Sequence, residues 1–278
     1  MAAAKRTLTV VLAGDVMTGR GIDQVLRTPS EPTLHEGYVR DARDYVALAE
    51  RMNGSIGRAL ADNAIWDRAL VHLRRLAPDL FIVNLETAVT TSNEPWPGKG
   101  IHYRMHPANV GCLGAGGVQV CALANNHVLD WGRAGLDETL RTLQAAGLRS
   151  VGAGADDNAA WSAVHCVLAS GVQVRVFAAA TTSSGVPQDW SATASRSGIA
   201  LLPDLAEPTA QRIAAALALP SNARALKIVS IHWGDNWVPR VPDAHRRFAQ
   251  RLIDLGAADI VHGHSSHHPL PIEVYRGR

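Results

Sequence analysis

The chain has few cysteines, no long apolar run and no block of basic residues, and each absence excludes a class of protein. Its three cysteines, Cys112, Cys121 and Cys166, are too few and too widely spaced for a disulfide framework or a paired-cysteine metal knuckle. No stretch approaches the roughly 18 consecutive apolar residues that a membrane span needs. The formal net charge is only +2, so we expect no nucleic-acid partner bound through phosphate neutralisation.

The N-terminal segment MAAAKRTLTVVLAGD has the pattern of a strand rather than of a signal peptide. The apolar run after Lys5 and Arg6 is short and ends in an acidic residue, and no cleavage-site pattern follows it. Because neither a signal peptide nor a membrane span is visible, we expect a cytoplasmic protein whose membrane association, if any, would come through partners.

What the sequence does contain is an alternation of strand-like and helix-like segments. Its 278 residues are 47% hydrophobic, which favours one compact domain over residues 1–278. Helical spacing occurs at Asp137–Ala146 and Ala244–Leu255. Strands alternating with helices predict an α/β fold with its ligand site at the carboxyl ends of the strands. The strand-length apolar runs are Leu8–Ala13, Leu80–Val83, Val118–Leu123, Val172–Ala179, Ile228–Ile231 and Asp259–His262.

Two segments interrupt this alternation. Residues 28–57 mix Pro, Gly, charged and aromatic residues around one helical stretch, Asp44–Arg51, and are predicted to be an insertion loop of the kind that walls a site. Residues 181–203 are rich in Ser, Thr and Gly, and we expect them to cross between the two halves of the fold.

Polar residues suited to metal binding follow most of the predicted strands. Carboxylate, amide and imidazole groups together favour Zn, Mn or Fe over Ca or Mg alone. Each residue also has an ordinary interpretation, such as a turn former or an N-cap for Asp15 and a half-buried core histidine for His232. The run HGHSSHH, residues 262–268, is harder to explain by packing because it places four imidazoles at one strand end. The candidate ligands are Asp15, Glu86, Asn126, His232, His264 and His267.

The order of these residues resembles the calcineurin-like metallophosphoesterases, and more closely their CapA family, which is associated with bacterial capsule and poly-γ-glutamate synthesis. The segments that carry the resemblance are GDVMTGRG (14–21), NLETAVT (84–90), LANNHVLDWG (123–132), SIHWGDNW (230–237) and HGHSSHHPLPIEVYRGR (262–278). They span almost the whole chain. The resemblance implies an α/β sandwich of two mixed sheets flanked by helices, and one or two divalent transition ions.

The resemblance also implies a role for each site residue. Asp15 and His267 match ligands of a first metal site, and Glu86 stands where the superfamily has a bridging carboxylate. The second site is matched by Asn126, His232 and His264. His127, next to the amide ligand, matches a histidine that does not bind metal but donates a hydrogen bond or proton to the reacting group.

Three departures from the superfamily pattern weaken the first site. Met17 stands where a ligating histidine is expected, and a thioether is a poor ligand for such ions. The bridging carboxylate is a glutamate, one methylene longer than aspartate. The closing motif is one residue longer than usual, so either His267 or His268 could face the metal. The sequence also stops at Arg278, where family members are expected to continue into another strand pair, which implies a truncated C-terminus.

Three basic residues are candidates for binding an anionic substrate. Lys99 and Arg104 flank a short strand-like stretch in GKGIHYRMHP, residues 98–107, and Arg20 follows Asp15 closely. A solvated hairpin explains the first two equally well, and Arg20 could instead pair with a neighbouring carboxylate.

Two functions follow from the resemblance. The first is a metal-dependent hydrolase that acts on a phosphoester or on an anionic polymer such as poly-γ-glutamate. The second is a non-catalytic accessory protein that binds or guides the polymer together with capsule-synthesis proteins. Loss of the first-site histidine at Met17 favours the second, whereas retention of the other ligands and His127 favours the first.

Overall fold

A computed structural model describes residues 7–220 and 223–278. The prediction that concerned Lys5 and Arg6 therefore lies outside the described residues. The strands are β1 (Val10–Val16), β2 (Leu80–Leu85), β3 (Ala88–Val89), β4 (Arg104–Met105), β5 (Val120–Ala122), β6 (Arg149–Val151), β7 (Ala153–Gly154), β8 (Val164–Val167), β9 (Gln173–Ala180), β10 (Gly198–Ile199), β11 (Leu226–His232) and β12 (Ile260–His264).

Eight α-helices occur in the described part of the chain. They are α1 (Arg20–Val25), α2 (Ala42–Asn53), α3 (Asp67–Leu76), α4 (Gly111–Ala115), α5 (Gly132–Ala145), α6 (Asp157–Ala160), α7 (Glu207–Ala216) and α8 (Asp243–Asp254). Within residues 7–220 and 223–278, no helix combines the length and apolarity that crossing a bilayer demands.

The strands form two four-stranded sheets. The first has the order β1-β2-β5-β6 and is entirely parallel, whereas the second has the order β12-β11-β9-β8 with β8 antiparallel. Two short pairs, β3 with β4 and β7 with β10, lie beside them. The predicted α/β sandwich is confirmed, with the difference that only the second sheet is mixed.

Alternation along β2 shows how the layers are packed. Leu80 and Ile82 belong to the apolar cluster between the two sheets, which includes Val176 of β9. Phe81 and Val83 point the other way, into a cluster that includes apolar residues of α4 and α5. Each such side chain, when fully buried, contributes about 1.5–3 kcal/mol through the hydrophobic effect.

The outer face of the second sheet is covered by α7 and α8. Phe177 of β9 packs in a third cluster with Ile213 of α7 and with Phe248 and Leu252 of α8. The four-residue spacing of the last two places them on one face of the helix. The order of layers is therefore helix, sheet, sheet, helix, as a sandwich with two covered outer faces requires.

The segment 28–57 is folded against α1 rather than free in solvent. Its helix α2 is longer than predicted and begins after Asp41, whose side chain accepts a hydrogen bond from the Arg43 amide at 2.8 Å. Glu36 is completely buried and lies 2.6 Å from Nε of Arg20. This ion pair attaches the insertion to the first residue of α1, the helix that follows β1.

The edge strands of the two sheets, β1 and β12, contact each other. Since β1, β2, β5, β11 and β12 are parallel within their sheets, their carboxyl ends and the loops that leave them are the places where ligand residues are expected to gather. The predicted site residues Asp15, Glu86, Asn126, His232 and His264 all lie at these positions.

Candidate metal centre

Asp15 is directed toward the second sheet by an irregularity in β1. The pairing of β1 with β2 shifts between Ala13 and Asp15, a β-bulge of the kind that re-aims a side chain. Asn84 of β2 donates to Oδ1 of Asp15 at 2.8 Å, and the Ser265 amide donates to Oδ2 at 3.2 Å. Both sheets thus hold the carboxylate, which remains 17% exposed.

His232 and His264 are opposite each other at the ends of β11 and β12. Their Nδ1 atoms are 2.9 Å apart, and both face Oδ1 of Asp15, at 3.7 Å from His232 and 3.6 Å from His264. One ligand atom from each of the three residues fits within 4.8 Å of the others. This is the spacing of a first group of potential metal ligands.

The remaining ring nitrogens of these two histidines have partners that fix the ring orientations. Nε2 of His264 is 2.9 Å from Oγ of Ser230, and Nε2 of His232 is 3.1 Å from Oδ1 of Asn126. The two Nδ1 atoms are therefore the ones presented to Asp15. Such outer partners orient metal-binding imidazoles in many metal sites. Asn126 approaches His232 from the opposite side of the ring to Asp15.

Burial keeps both imidazoles neutral, which is the form that binds metal. It lowers the pKa of His232 to about 4. It lowers the pKa of His264 well below its usual value, with a further contribution from the neighbouring imidazoles of His232 and His262.

A second group of potential ligands consists of Asp15, Glu86 and His267, whose ligand atoms also lie within 4.8 Å of one another. His267 is brought to the carboxylates by a tight turn in which Ser265 and His267 have φ of 99° and 53°. Positive φ is uncommon for residues other than glycine and accumulates at functional sites.

The electrostatics of the carboxylates fit a cation. Burial, followed by the charge of Asp15, raises the pKa of Glu86 to about 9. A divalent ion between two such carboxylates would favour the charged form of both and reverse this shift. Carboxylate oxygens with imidazole nitrogens are suitable ligands for Zn, Mn or Fe, so the residues present fit the expected metal.

The grouping of ligands differs from the one that the resemblance implies. Asp15 is common to both groups, whereas Glu86 was expected to be the bridging carboxylate. Asp15 also lies with His232 and His264, which were expected at the other site. The geometry therefore offers Asp15 as the shared ligand.

The two histidines of the closing motif have different surroundings. His267 faces the carboxylates, whereas Nε2 of His268 is 2.8 Å from the Val238 carbonyl oxygen and its ring is parallel to that of Trp237. The structure thus brings His267, and not His268, to the cluster. Met17 stands where a ligating histidine is expected. Its sulfur accepts a hydrogen bond from the Gly19 amide, 3.1 Å away.

His127 lies beside the second group without belonging to it. Its Nδ1 is 2.6 Å from Oδ2 of Asp130, and its Nε2 is 3.8 Å from Oε1 of Glu86. Tyr103 stacks on the ring, with centroids 3.9 Å apart. Burial lowers the pKa of His127, so a neutral ring that donates from Nδ1 presents Nε2 as a proton acceptor near Glu86.

The three predicted substrate-binding residues all contact protein groups. Lys99 lies 2.7 Å from Oδ1 of Asp130 and also donates to the Asn126 carbonyl oxygen. The guanidinium of Arg104 is bonded to Ser92, Asn93 and Glu31 and lies over the Trp131 ring.

Arg20 pairs with Glu36, the carboxylate alternative foreseen from the sequence, and its guanidinium also lies over the Tyr103 ring. The segment 98–107 is not a solvated hairpin, because Arg104 and Met105 form β4 and are buried. Substrate binding by Arg20, Lys99 and Arg104 stays a prediction.

Sequence reasoning missed Asn84, Asp130 and Ser230, which hold Asp15, His127 and His264. His127 and Asp130 are three residues apart in a turn, so their closeness in sequence was a local signal for their pairing. Asn84 and Ser230 carry no comparable local signal, since each contacts a side chain far away in sequence.

The cluster opens into a cleft of 1340 Å³ whose walls include Asp15, Glu86, His264 and His267. Tyr103 and Trp233 contribute aromatic surface to the same cleft. The potential ligands are thus reachable from solvent, as a centre that binds a substrate requires.

A family model described as "Bacterial capsule synthesis protein PGA_cap" matches residues 9–278. The chain belongs to this family. The match covers every element of the fold and every candidate ligand, and the resemblance to the CapA proteins is confirmed.

Individual relatives in this family share the sequence to different extents. A probable polyglutamine synthesis accessory protein of Mycobacterium tuberculosis is 46% identical over 279 residues, covering 100% of this chain and 73% of that protein. The PGA biosynthesis protein CapA of Bacillus subtilis is 30% identical over 207 residues, covering 72% of this chain and 50% of its own length. The capsule biosynthesis protein CapA of Bacillus anthracis is 27% identical over 272 residues, 97% of this chain and 56% of its own length.

Proposed function

We propose that the chain is a metal-dependent hydrolase of bacterial capsule or poly-γ-glutamate synthesis that acts on a phosphoester or on an anionic polymer. The observation that supports this best is the position of Asp15, shared between a group with His232 and His264 and a group with Glu86 and His267. Two ion positions with a common carboxylate are typical of hydrolases that use paired metals about 3.5–4 Å apart.

The chain's own residues have distinct roles in this proposal. Asp15, Glu86, His232, His264 and His267 hold one or two divalent transition ions, which would supply an activated water and positive charge for the reacting oxygens. Asn126, whose Oδ1 lies 3.1 Å from Nε2 of His232, orients that ring in this proposal, and its binding to the metal, expected from the sequence, stays a prediction.

His127 is the proposed proton-transfer residue. Asp130 holds its Nδ1, and Tyr103 covers one face of its ring. Nε2 remains directed toward the site, where it accepts a proton or returns one to the leaving group.

A second function, polymer binding without turnover, is favoured by Met17. The side chain at this position contacts the Gly19 amide instead of offering an imidazole to the cluster. The Mycobacterium tuberculosis relative carries the description "accessory protein". In this alternative the centre binds carboxylates of the polymer and works with the capsule-synthesis proteins that make it.

Metal analysis and a hydrolysis screen distinguish the two functions. Purified protein, stripped with a chelator and reconstituted with Mn²⁺ or Zn²⁺, is analysed for bound metal and assayed on generic phosphodiesters and poly-γ-glutamate. The hydrolase proposal expects turnover that His127→Ala abolishes while metal content stays close to that of the wild type. Bound metal without turnover of any substrate supports the accessory function, and absence of metal after reconstitution contradicts both.

A further inference from the structure

Lys99 lies in a segment that supplies none of the proposed metal ligands, yet its ammonium group reaches the centre. The side chain is only 16% exposed. It contacts Oδ1 of Asp130 at 2.7 Å, donates to the main-chain carbonyl oxygen of Asn126, and lies 4.9 Å above the Trp190 ring. The ammonium is thus engaged by the loop that follows β5.

The contact with Asp130 supports His127. Asp130 has no exposed surface, and its Oδ2 accepts from Nδ1 of His127 at 2.6 Å and from the Tyr103 amide at 2.7 Å. A buried carboxylate needs a compensating positive charge, because removing it from water costs several kcal/mol. Among the described residues, Lys99 is the basic side chain, other than histidine, that forms an ion pair with Asp130.

The hydrogen bond from Lys99 to the Asn126 carbonyl oxygen acts on His232, one of the two proposed imidazole ligands at the ends of β11 and β12. Asn126 is the residue whose Oδ1 holds Nε2 of His232 at 3.1 Å. Fixing the main chain at Asn126 limits how far its side chain can move from His232. One ammonium group therefore holds the two neighbouring residues, Asn126 and His127, that connect the β5 loop to the centre.

We propose that Lys99 is a positioning residue of the metal centre, which clamps the loop 125–130 and so sets the orientations of His232 and His127. The part that concerns metal affinity rests on the proposed metal-dependent function, whereas the clamping of the loop does not. The role differs from the substrate contact expected from the sequence, because the ammonium donates to the Asn126 carbonyl oxygen and pairs with Asp130.

The first test compares Lys99→Met with Lys227→Met. Lys227 is a matched control, since its ammonium donates to a main-chain carbonyl oxygen, that of Gly256, at 2.8 Å, away from the proposed ligands. Isothermal titration of the metal-free full chain with Mn²⁺ is expected to give about 10–100-fold weaker binding for Lys99→Met, as for loss of other outer partners of metal ligands. Lys227→Met is expected to match the wild type, and Lys99→Arg to recover part of the affinity.

A second pair of variants covers the case in which Lys99→Met fails to fold because Asp130 is left buried and unpaired. Asp130→Asn removes the charge but leaves Lys99 bonded to the Asn126 carbonyl oxygen. Adding Lys99→Met to Asp130→Asn removes that bond without creating an unpaired charge. The double variant is expected to bind Mn²⁺ at least about tenfold more weakly than Asp130→Asn alone.

Hydrogen exchange of the metal-free protein separates this inference from the proposed function. The amides of residues 125–130 are expected to exchange at least about tenfold faster in Lys99→Met than in the wild type, and in the double variant than in Asp130→Asn. In Lys227→Met their exchange rates are expected to equal those of the wild type. If the wild type binds no metal, the proposed function fails and exchange alone decides whether Lys99 clamps the loop. Unchanged exchange, or unchanged Mn²⁺ affinity where the wild type binds it, overturns the inference.

Discussion

Nδ1 of His232 lies 2.9 Å from Nδ1 of His264, and both atoms face the carboxylate of Asp15. Two neighbouring parallel strands place the histidines in register, while the third side chain comes from the other sheet. The donor nearest to this point is Nδ2 of Asn84, 2.8 Å from Oδ1 of Asp15 and 3.4 Å from Nδ1 of His232. In the proposed metal-dependent function, a cation would bind both imidazoles through these Nδ1 atoms.

Removal of either histidine is therefore expected to weaken metal binding severely. His264→Ala should lower Mn²⁺ affinity by more than the roughly 10–100-fold that loss of an outer partner costs. His165→Ala serves as control, since His165 is exposed on β8. Equilibrium dialysis with metal analysis measures both, and equal affinities for the two variants would contradict the assignment of His264.

The closing motif allows a direct comparison of two adjacent histidines. His267→Ala is expected to lower metal content and His268→Ala to leave it nearly unchanged, because only His267 joins Asp15 and Glu86. His268 instead contacts the Val238 carbonyl oxygen. The reverse ranking in metal analysis would move the assignment to His268.

Metal is also expected to stabilise the fold, since the ligands come together only in the native chain. At a free concentration 100 times Kd, a ligand that binds only the native state adds about 2.7 kcal/mol to the free energy of unfolding. Urea titrations with Mn²⁺ and with chelator should show this difference for the wild type. In His264→Ala the difference should largely disappear, and its persistence would place the stabilising ion elsewhere.

Gly152, between β6 and β7, is expected to tolerate no side chain. Its φ is +87°, and an added Cβ would lie 2.9 Å from Cβ of Ala124 and from Cβ and O of Ala178. Gly152→Ala should lower the free energy of unfolding by about 1–3 kcal/mol through overpacking, in addition to backbone strain.

Gly147→Ala is the matched control for Gly152→Ala. Gly147 has a similar φ of +73°, but no atom lies within 4 Å of the added Cβ. Gly147→Ala should therefore lower the free energy of unfolding only by the cost of the backbone strain, about 1–2 kcal/mol. Urea unfolding of both variants measures the difference, and equal losses would mean that the contacts with Ala124 and Ala178 relax at no cost.

The long strands could be predicted because they are buried on both faces and appear as continuous apolar runs. Leu80–Leu85 extends its predicted range by two residues at the carboxyl end, and Gln173–Ala180 is shifted from its predicted range by one residue at each end. The two-residue strands could not be predicted, since pairs such as β3 with β4 depend on contacts distant in sequence. Helix α3 was missed although its DRALVHLRRL sequence places Leu70 and Leu73 at helical spacing, because the run is short and highly charged and only Leu70 of it is buried.

The candidate site was predictable to the extent that its residues follow strands. Asp15, His232 and His264 stand at strand ends, where the parallel pairing of β11 with β12 joins the two histidines and the contact of β1 with β12 brings Asp15 to them. Their grouping was not predictable, because the bulge before Asp15 and the turn at Ser265 decide which atoms meet. The partners of Lys99 depended in the same way on the folded path of the β5 loop.

The contact between Asp15 and the Ser265 amide joins residues 250 positions apart in the chain. An ion bound by Asp15 and His264 would therefore act as a cross-link that closes nearly the whole chain into one ring. Such a clip restricts the unfolded ensemble more as the closed loop lengthens, although the gain grows only slowly with length. Because the three cysteines are all free, such an ion would supply the long-range cross-link that a disulfide supplies in other proteins.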